Sequence, residues 1–281
     1  MVSEKIKSYA KLNLALNISG KNSKLHKIET IVKFVHLHDE IFIKKIRSSD
    51  HKISFIGKFA KGISKDNTIS KLLKILEKRN LIKNDKFKIV INKRIPNKSG
   101  LGGGSMNAAN ILKYLVKKKI IKIDKKQILT ISKLIGSDVI LGFNSSNSIL
   151  KTNSQIKYFK NCPKIYTLIV KPNIGCSTKK IYSKVRKFDK PKFNNPQKKM
   201  FNLKYLKGLN NSLEPIALSQ HSQLKKIKIF LENLLRPVFV RMTGSGSAFV
   251  AYYRSKKTCE IAKRRFNKKF KYYWCIATKT I

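Results

Sequence analysis

Four of the 13 glycines of this 281-residue chain fall between Gly100 and Gly104, inside Ile95-Pro96-Asn97-Lys98-Ser99-Gly100-Leu101-Gly102-Gly103-Gly104-Ser105-Met106-Asn107-Ala108-Ala109-Asn110. A run with so few side chains lets successive backbone N–H groups curl into a concave anion-binding nest, and glycine reaches the positive φ values the curl requires. From Ser105 to Lys119 the apolar residues Ala108, Ile111, Leu112 and Leu115 follow an i, i+3, i+4, i+7 pattern, which predicts a helix opening at the glycines. Its N-terminus adds unpaired N–H groups and the positive end of a helix dipole. Ahead of it, Phe87-Lys88-Ile89-Val90-Ile91-Asn92 reads as a strand. Strand, glycine turn and helix in succession form a context for binding phosphate.

Two common phosphate-binding signatures do not fit. A Walker loop requires Gly-Lys-Ser/Thr, whereas Ser105 follows Gly104; a dinucleotide fingerprint counted from Gly100 requires glycine where Ser105 stands.

The rest of the chain reads as alternating strands and helices. Residues 6–18 alternate as a strand, with Leu12, Leu14, Leu16 and Ile18 on one face and Lys11 and Asn13 on the other. Ile31 to Val35, Asp39 to Ile43 and Lys52 to Ile56 read as three further strands. Asp66 or Asn67 caps an amphipathic helix carrying Leu72, Leu73, Ile75 and Leu76. Lys93, just after a strand, reads by itself as a surface charge. Residues 124–135 form another helical pattern, followed by Gly136-Ser137-Asp138 and an apolar run. An acid before such a run is expected to be partly buried, with an N-cap or turn role as the plain alternative. Residues 144–157 are polar and rich in turn formers, which places a boundary between halves there. Beyond it come a strand at 165–170, a Pro-, Asn- and Lys-rich loop at 188–199, and a second glycine turn, Thr243-Gly244-Ser245-Gly246, with the pattern of a hairpin.

Composition bounds the function classes. Sixty-three Lys and Arg against 14 Asp and Glu give a formal charge of +49, which would ordinarily point to nucleic acid. The basic residues are spread along the whole chain, however, and Lys, Asn and Ile are all abundant, the bias expected of an AT-rich genome. Nucleic acid is therefore not expected as a partner. No apolar run approaches the ~18 residues of a membrane span, and Met1 to Lys7 lacks the apolar core of a signal peptide, so no membrane partner and a cytoplasmic location are expected. Cys162, Cys176, Cys259 and Cys275 are scattered without a Cys-x-x-Cys pair, and four reduced thiols are expected.

The order Pro-x-x-x-Gly-Leu-Gly-Gly-Gly-Ser resembles the second motif of the GHMP kinases, the family of galactokinase, homoserine kinase and mevalonate kinase. The triple glycine followed by Ser-x-Asn-Ala-Ala is most similar to the branch acting on 4-diphosphocytidyl-2-C-methyl-D-erythritol. Ala10-Lys11-Leu12-Asn13-Leu14 resembles the first motif, and Met242 to Val250 the third. His26 matches a histidine that pairs with the cytosine edge, although Lys24 and Leu25 depart from the Gly-Tyr that precede it in the family. Gly136 to Phe143 resembles the segment carrying the aspartate that acts on the acceptor hydroxyl, and Lys171 to Tyr182 a Lys-Pro…Ser-Thr…Tyr segment whose tyrosine stacks on the cytosine. Asn211 to Ala217 is similar to Asn-Asp-Leu-Glu-Pro-x-Ala, with Ser212 in place of the acid and Glu214 read as structural.

The resemblance implies an α/β (α+β) fold in two domains, residues 1–154 and 155–281, with the active site in the cleft between them. It implies Lys11 and Asp138 as catalytic residues. Asn67, Lys93, Pro96, Gly100, Leu101, Gly102, Gly103, Gly104, Ser105 and Asn107 are implied on the ATP side, with Ser105 touching Mg²⁺. Asn13, His26, Tyr182, Thr243, Gly244 and Gly246 are implied on the acceptor side. The expected protein is an ATP- and Mg²⁺-dependent kinase of a small molecule, a monomer or weak homodimer. A homoserine- or mevalonate-type kinase would share the glycine turns without a cytosine pocket. A nucleic-acid-binding protein on the same fold would account for the charge but not for the ordered motifs.

Overall fold

Period-two alternation carries the chain out of its N-terminus in two long strands, β1 (Glu4–Lys21) and β2 (His26–Ile46), which pair with each other. The computed structural model describes residues 3–22 and 26–281, so Lys24 and Leu25 lie outside the described residues. The segments read as separate strands at 31–35 and 39–43 are one strand. Polar His36 and His38 break the apolar pattern between them without breaking the extended backbone.

The chain packs as two units built from discontinuous segments. The first comprises the chain up to Ala10, Leu37–Pro96 and Gly102–Ser145; the second comprises Lys11–His36, Asn97–Leu101 and Ser146–Ile281. These packing units are discontinuous, whereas the halves 1–154 and 155–281 are sequential; the two divisions come closest at Ser145. Both β1 and β2 begin in one unit and end in the other, and the glycine run changes unit between Leu101 and Gly102.

In the first unit, β3 (Lys52–Ile56) runs parallel to β4 (Lys86–Asn92), which runs antiparallel to the second half of β2, with Ile41 opposite Ile91. Along β4, Phe87, Ile89 and Ile91 are buried while Lys88 is exposed, the alternation of a half-covered strand. The cover is helical: α1 (Thr68–Lys78), α2 (Gly103–Lys117), α3 (Lys125–Ile135) and the short α4 (Val139–Gly142). Ala108, Ile111, Leu112 and Leu115 of α2 are fully buried with Leu72, Leu73 and Leu76 of α1 in one core. Met106 is also buried and packs on Gly142, where a Cβ would lie 2.9 Å from its sulfur.

In the second unit, the first half of β2 pairs with β5 (Asn147–Leu150), and β5 with β6 (Ile156–Phe159). The polar stretch read as a boundary thus contains a hairpin, because Ser148, Ile149 and Leu150 supply enough buried surface to seat a short strand. A four-stranded antiparallel sheet follows in the order β10-β7-β9-β8, made of β7 (Tyr166–Lys171), β8 (Phe239–Met242), β9 (Phe249–Tyr253) and β10 (Trp274–Lys279). Its helices are α5 (Thr178–Ser183), α6 (Leu203–Lys207), α7 (Glu214–Gln220), α8 (Ser222–Glu232) and α9 (Lys256–Lys269). Leu168 and Val170 share a core with Leu224, Leu231 and Phe266. No helix among the described residues is long and apolar enough to cross a membrane.

Candidate active site

In the first unit the site is built around the start of α2. Gly102 caps the helix at φ 75°, a left-handed conformation that suits glycine, and the first helical bond runs from Met106 N to Gly102 O. The earlier amides of the helix therefore have no intrahelical acceptor and point outward with the dipole. A Cβ on Gly103 would lie 3.2 Å from both Lys93 Nζ and Ile95 Cγ2, so the turn is floored by a lysine with no room for a side chain.

Lys93 is not a surface charge. It is buried and ion-paired with Asp39, which is itself fully buried. Asp39 also accepts from Arg94 N and Ile95 N at 2.8 Å each and from Asn107 Nδ2 at 2.9 Å. One carboxylate on β2 thus fixes the approach to the glycine turn, the lysine beneath it and the first turn of α2. Four donors, one of them charged, satisfy a carboxylate that burial would otherwise penalise.

Asn67 sits where a cap is expected. Its oxygen accepts from Ile69 N and Ser70 N, and its amide donates to Ser64 O and Lys65 O, so the side chain is engaged in capping α1. Its neighbour Thr68 reaches the glycine turn, donating to Gly104 O at 2.8 Å. Pro96 is buried at the end of this segment. Ser105 stands in the first turn of α2, with its hydroxyl 4.0 Å from where a Cβ on Gly136 would lie, so the Gly136-Ser137-Asp138 turn runs beside it. Asp138 is half-buried and precedes α4.

In the second unit, the side of β1 read as polar is buried as deeply as its apolar side: Lys11 and Asn13 are each 1% exposed. Lys11 Nζ donates to Asn13 Oδ1, and Asn13 Nδ2 to Thr30 Oγ1 at 2.9 Å. Lys11 N bonds Leu101 O at 3.0 Å and Asn13 N bonds Thr243 Oγ1 at 3.0 Å, so β1 lies against both glycine turns. The turns also bind each other, through Ser247 N to Lys98 O and Ala248 N to Ser99 O. At the crossing Gly100 has φ 76°, and a Cβ there would stand 2.0 Å from Thr243 O. A Cβ on Gly244 would meet Gly100 O at 2.9 Å and Lys11 Nζ at 3.3 Å, which puts the buried amine beside the second turn. Asn211 holds that turn from behind, donating to Met242 O and Gly244 O at 2.8 Å each, and Glu214 accepts from Met242 N at 2.8 Å. A Cβ on Gly246 would press on Met242 Sδ at 2.6 Å.

His26 and Tyr182 meet with ring centroids 5.2 Å apart, and burial, then the charge of Lys21, lowers the imidazole pKa. The ring is therefore neutral near pH 7, with one donor and one acceptor.

Within each unit, then, the residues singled out in the sequence converge: Lys93, Gly103 and Asn107 around Asp39, with Ser105 beside the Asp138 turn, in the first; Lys11, Asn13, Gly100, Leu101, Thr243 and Gly244 around the crossed turns, and His26 with Tyr182, in the second. Asp39, Asn211 and Phe188 are additions. Asp39 carried a signal, being an acid in a chain with only 14. Phe188, 49% exposed with its ring 6.4 Å from that of His26, carried none beyond its loop.

Residues 67–149 match the GHMP kinases N terminal domain model. A 4-diphosphocytidyl-2-C-methyl-D-erythritol kinase of Pelagibacter ubique is 56% identical over 281 residues, covering 100% of both chains. One from Clostridium perfringens is 31% identical over 290 residues, 99% of this chain and 98% of its own. Among solved structures, a 4-(cytidine 5'-diphospho)-2C-methyl-D-erythritol kinase superposes with a TM-score of 0.76 at 21% identity, covering 99% of each chain. A homoserine kinase from Cytophaga hutchinsonii does so at 0.65 and 15%, covering 99% of this chain and 94% of its own. These two likenesses establish the fold, an α+β fold shared with GHMP kinases. On full-length identity to named relatives, the chain belongs to the 4-diphosphocytidyl-2-C-methyl-D-erythritol kinase family of the GHMP kinases.

Proposed function

We propose that this protein transfers the γ-phosphoryl group of ATP to the 2-hydroxyl of 4-diphosphocytidyl-2-C-methyl-D-erythritol, a step of the non-mevalonate route to isoprenoid precursors. The observation that carries this reading is the buried Lys11 amine beside Gly244, where two glycine turns cross. A chain with 63 basic residues has no structural need to bury one there, and phosphoryl transfer has a chemical one. The acceptor specificity is supported by the name of the 56% identical relative and by the His26–Tyr182 pair.

In this reading the free amides at the start of α2 bind the triphosphate, and Lys93, fixed by Asp39, backs them. Pro96 and Asn67 flank the nucleotide, Asn67 through the helix it caps. Asp138 orients the acceptor hydroxyl and takes its proton. Lys11 stabilises charge on the group in flight, and Thr243, Gly244, Gly246 and Asn13 shape the acceptor side. Among the described residues no group of three or more His, Cys, Asp or Glu could hold a metal by itself. Mg²⁺ needs only one or two protein oxygens when phosphates supply the rest. Ser105 is the residue that would hold it, and the ion would neutralise charge on the phosphates.

Coupled ATP-consumption assays across candidate acceptors test the reading. ATP turnover is expected with the cytidyl methylerythritol and at least a hundredfold less kcat/KM with homoserine or mevalonate. Equal or greater turnover of either would replace this assignment with another GHMP activity.

A further inference from the structure

We infer that Phe188 is a stacking wall for the acceptor's nucleobase, a specificity-determining residue that acts together with Tyr182 and His26. The inference deepens the proposed function and rests on it.

Phe188 is an exception to the burial of large apolar side chains. Among the described residues it is one of six large hydrophobics that stand exposed, and it lies in the loop between α5 and α6 with about half its surface open. A single exposed aromatic needs no explanation if its backbone is free to wander. This backbone is pinned. Asp189 N donates to Ile18 O at 2.8 Å, and the Asp189 carboxylate accepts from Ser212 Oγ at 2.6 Å. Lys190 O accepts from Asn17 Nδ2 at 3.0 Å, and Lys192 N and Phe193 N both donate to the buried Glu29. On the other side Val185 is buried and its N–H bonds Tyr182 O at 3.2 Å. The chain is thus tied to α5, β1 and β2 on both sides of Phe188, and the ring is presented at a fixed place.

That place is next to His26. The Phe188 ring lies 6.4 Å from the imidazole at an interplanar angle of 51°, and Tyr182 lies 5.2 Å from it at 47°. Three rings with one imidazole common to both contacts form an aromatic corner. Phe188 is tilted against His26 rather than stacked face to face on it, and with about half its surface open it offers a ring face to a flat partner. A pyrimidine ring has the matching shape and π-face. Base–aromatic stacking contributes enough to affinity that loss of one wall is read as roughly a five- to hundredfold change.

The test uses the full-length protein. Cytidine 5'-diphosphate is titrated calorimetrically into wild type, Phe188→Ala, Phe188→Leu and Phe188→Tyr, and KM for the cytidyl acceptor and for ATP is measured in each. Phe188→Ala and Phe188→Leu are expected to weaken cytidine diphosphate binding and raise acceptor KM by roughly five- to a hundredfold, with ATP KM within twofold of wild type. Phe188→Tyr, which keeps the π-face, is expected to stay within about threefold. Alanine and leucine variants within twofold of wild type in both acceptor readouts would overturn the inference while leaving the proposed function intact. A rise in ATP KM matching the rise in acceptor KM would overturn it too, since that pattern marks a general structural effect. A wild-type enzyme that does not turn over the cytidyl acceptor would remove the proposed function and this inference with it.

Discussion

The two glycine turns are alike in composition and opposite in use. The first, Gly100 to Gly104, runs into a helix, so its later amides have no partner in the chain's own secondary structure and are left for an anion. The second, Thr243 to Ser247, runs into a strand, and three of its five amides bond within the protein: Thr243 N to Ala248 O, Gly246 N to Thr243 O and Ser247 N to Lys98 O. Each is held by a buried acid, Asp39 behind the first and Glu214 behind the second. Glycine content therefore does not by itself identify a phosphate nest; the element into which the glycines lead, helix or strand, decides. The second turn uses glycine for closeness, letting Lys11 and Gly100 approach a backbone that any Cβ would hold away.

The largest expected effect separates chemistry from binding. Lys11→Ala should lower kcat about 10²- to 10³-fold while ATP still binds, because the charge it meets grows in the transition state. Measured with saturating ATP and acceptor, a variant retaining more than about a tenth of wild-type turnover would demote the second turn to a structural feature.

Next in size is the support of the first turn. Asp39→Asn keeps the shape but removes the charge from beneath Lys93, leaving a buried cation without its carboxylate, a change of roughly 3 kcal/mol in stability. Urea unfolding should report that loss, and ATP KM should rise about tenfold as the Lys93–Gly103 floor loosens. Unaltered ATP KM in a destabilised variant would mean that Asp39 serves the fold alone.

The smallest effect belongs to Lys98. This residue adopts φ 51°, a conformation that favours glycine, and its aliphatic stem packs on Gly175, 2.9 Å from where a Cβ would stand, with the residue as a whole exposed. Lys98→Ala should change kcat and ATP KM by less than about tenfold, and Lys98→Gly should be at least as stable as wild type, since it removes the positive-φ penalty. A hundredfold loss in ATP affinity for Lys98→Ala would instead make it a phosphate ligand.

Much of this arrangement was legible in the sequence, for reasons that are local. The helix after the glycines, the Asn67 cap and the strand ahead of the turn follow from periodicity and capping chemistry, which act over a few residues. The features that escaped depend on distant partners. Lys93 read as a surface charge because its neutralising carboxylate lies 54 positions away. The burial of Lys11 and Asn13 was not available from alternation, which assigns a polar face to water unless another element covers it. The β5–β6 hairpin hid in a polar segment, and Phe188 stood in a loop whose anchors, Ile18, Glu29 and Ser212, come from three other parts of the chain.

The contrast between the turns is tested most directly by titrating ATP calorimetrically into two variants that each add the smallest decisive side chain, Gly103→Val in the first turn and Gly244→Ala in the second, with folding of both confirmed by circular dichroism. The valine would crowd Lys93 and Ile95 and fill the nest, so ATP affinity should fall at least about thirtyfold. The alanine would press on Gly100 O and Lys11 Nζ, so kcat should fall at least about tenfold with ATP affinity within about threefold of wild type. Equal losses of ATP affinity in the two folded variants would contradict the division of labour between the turns.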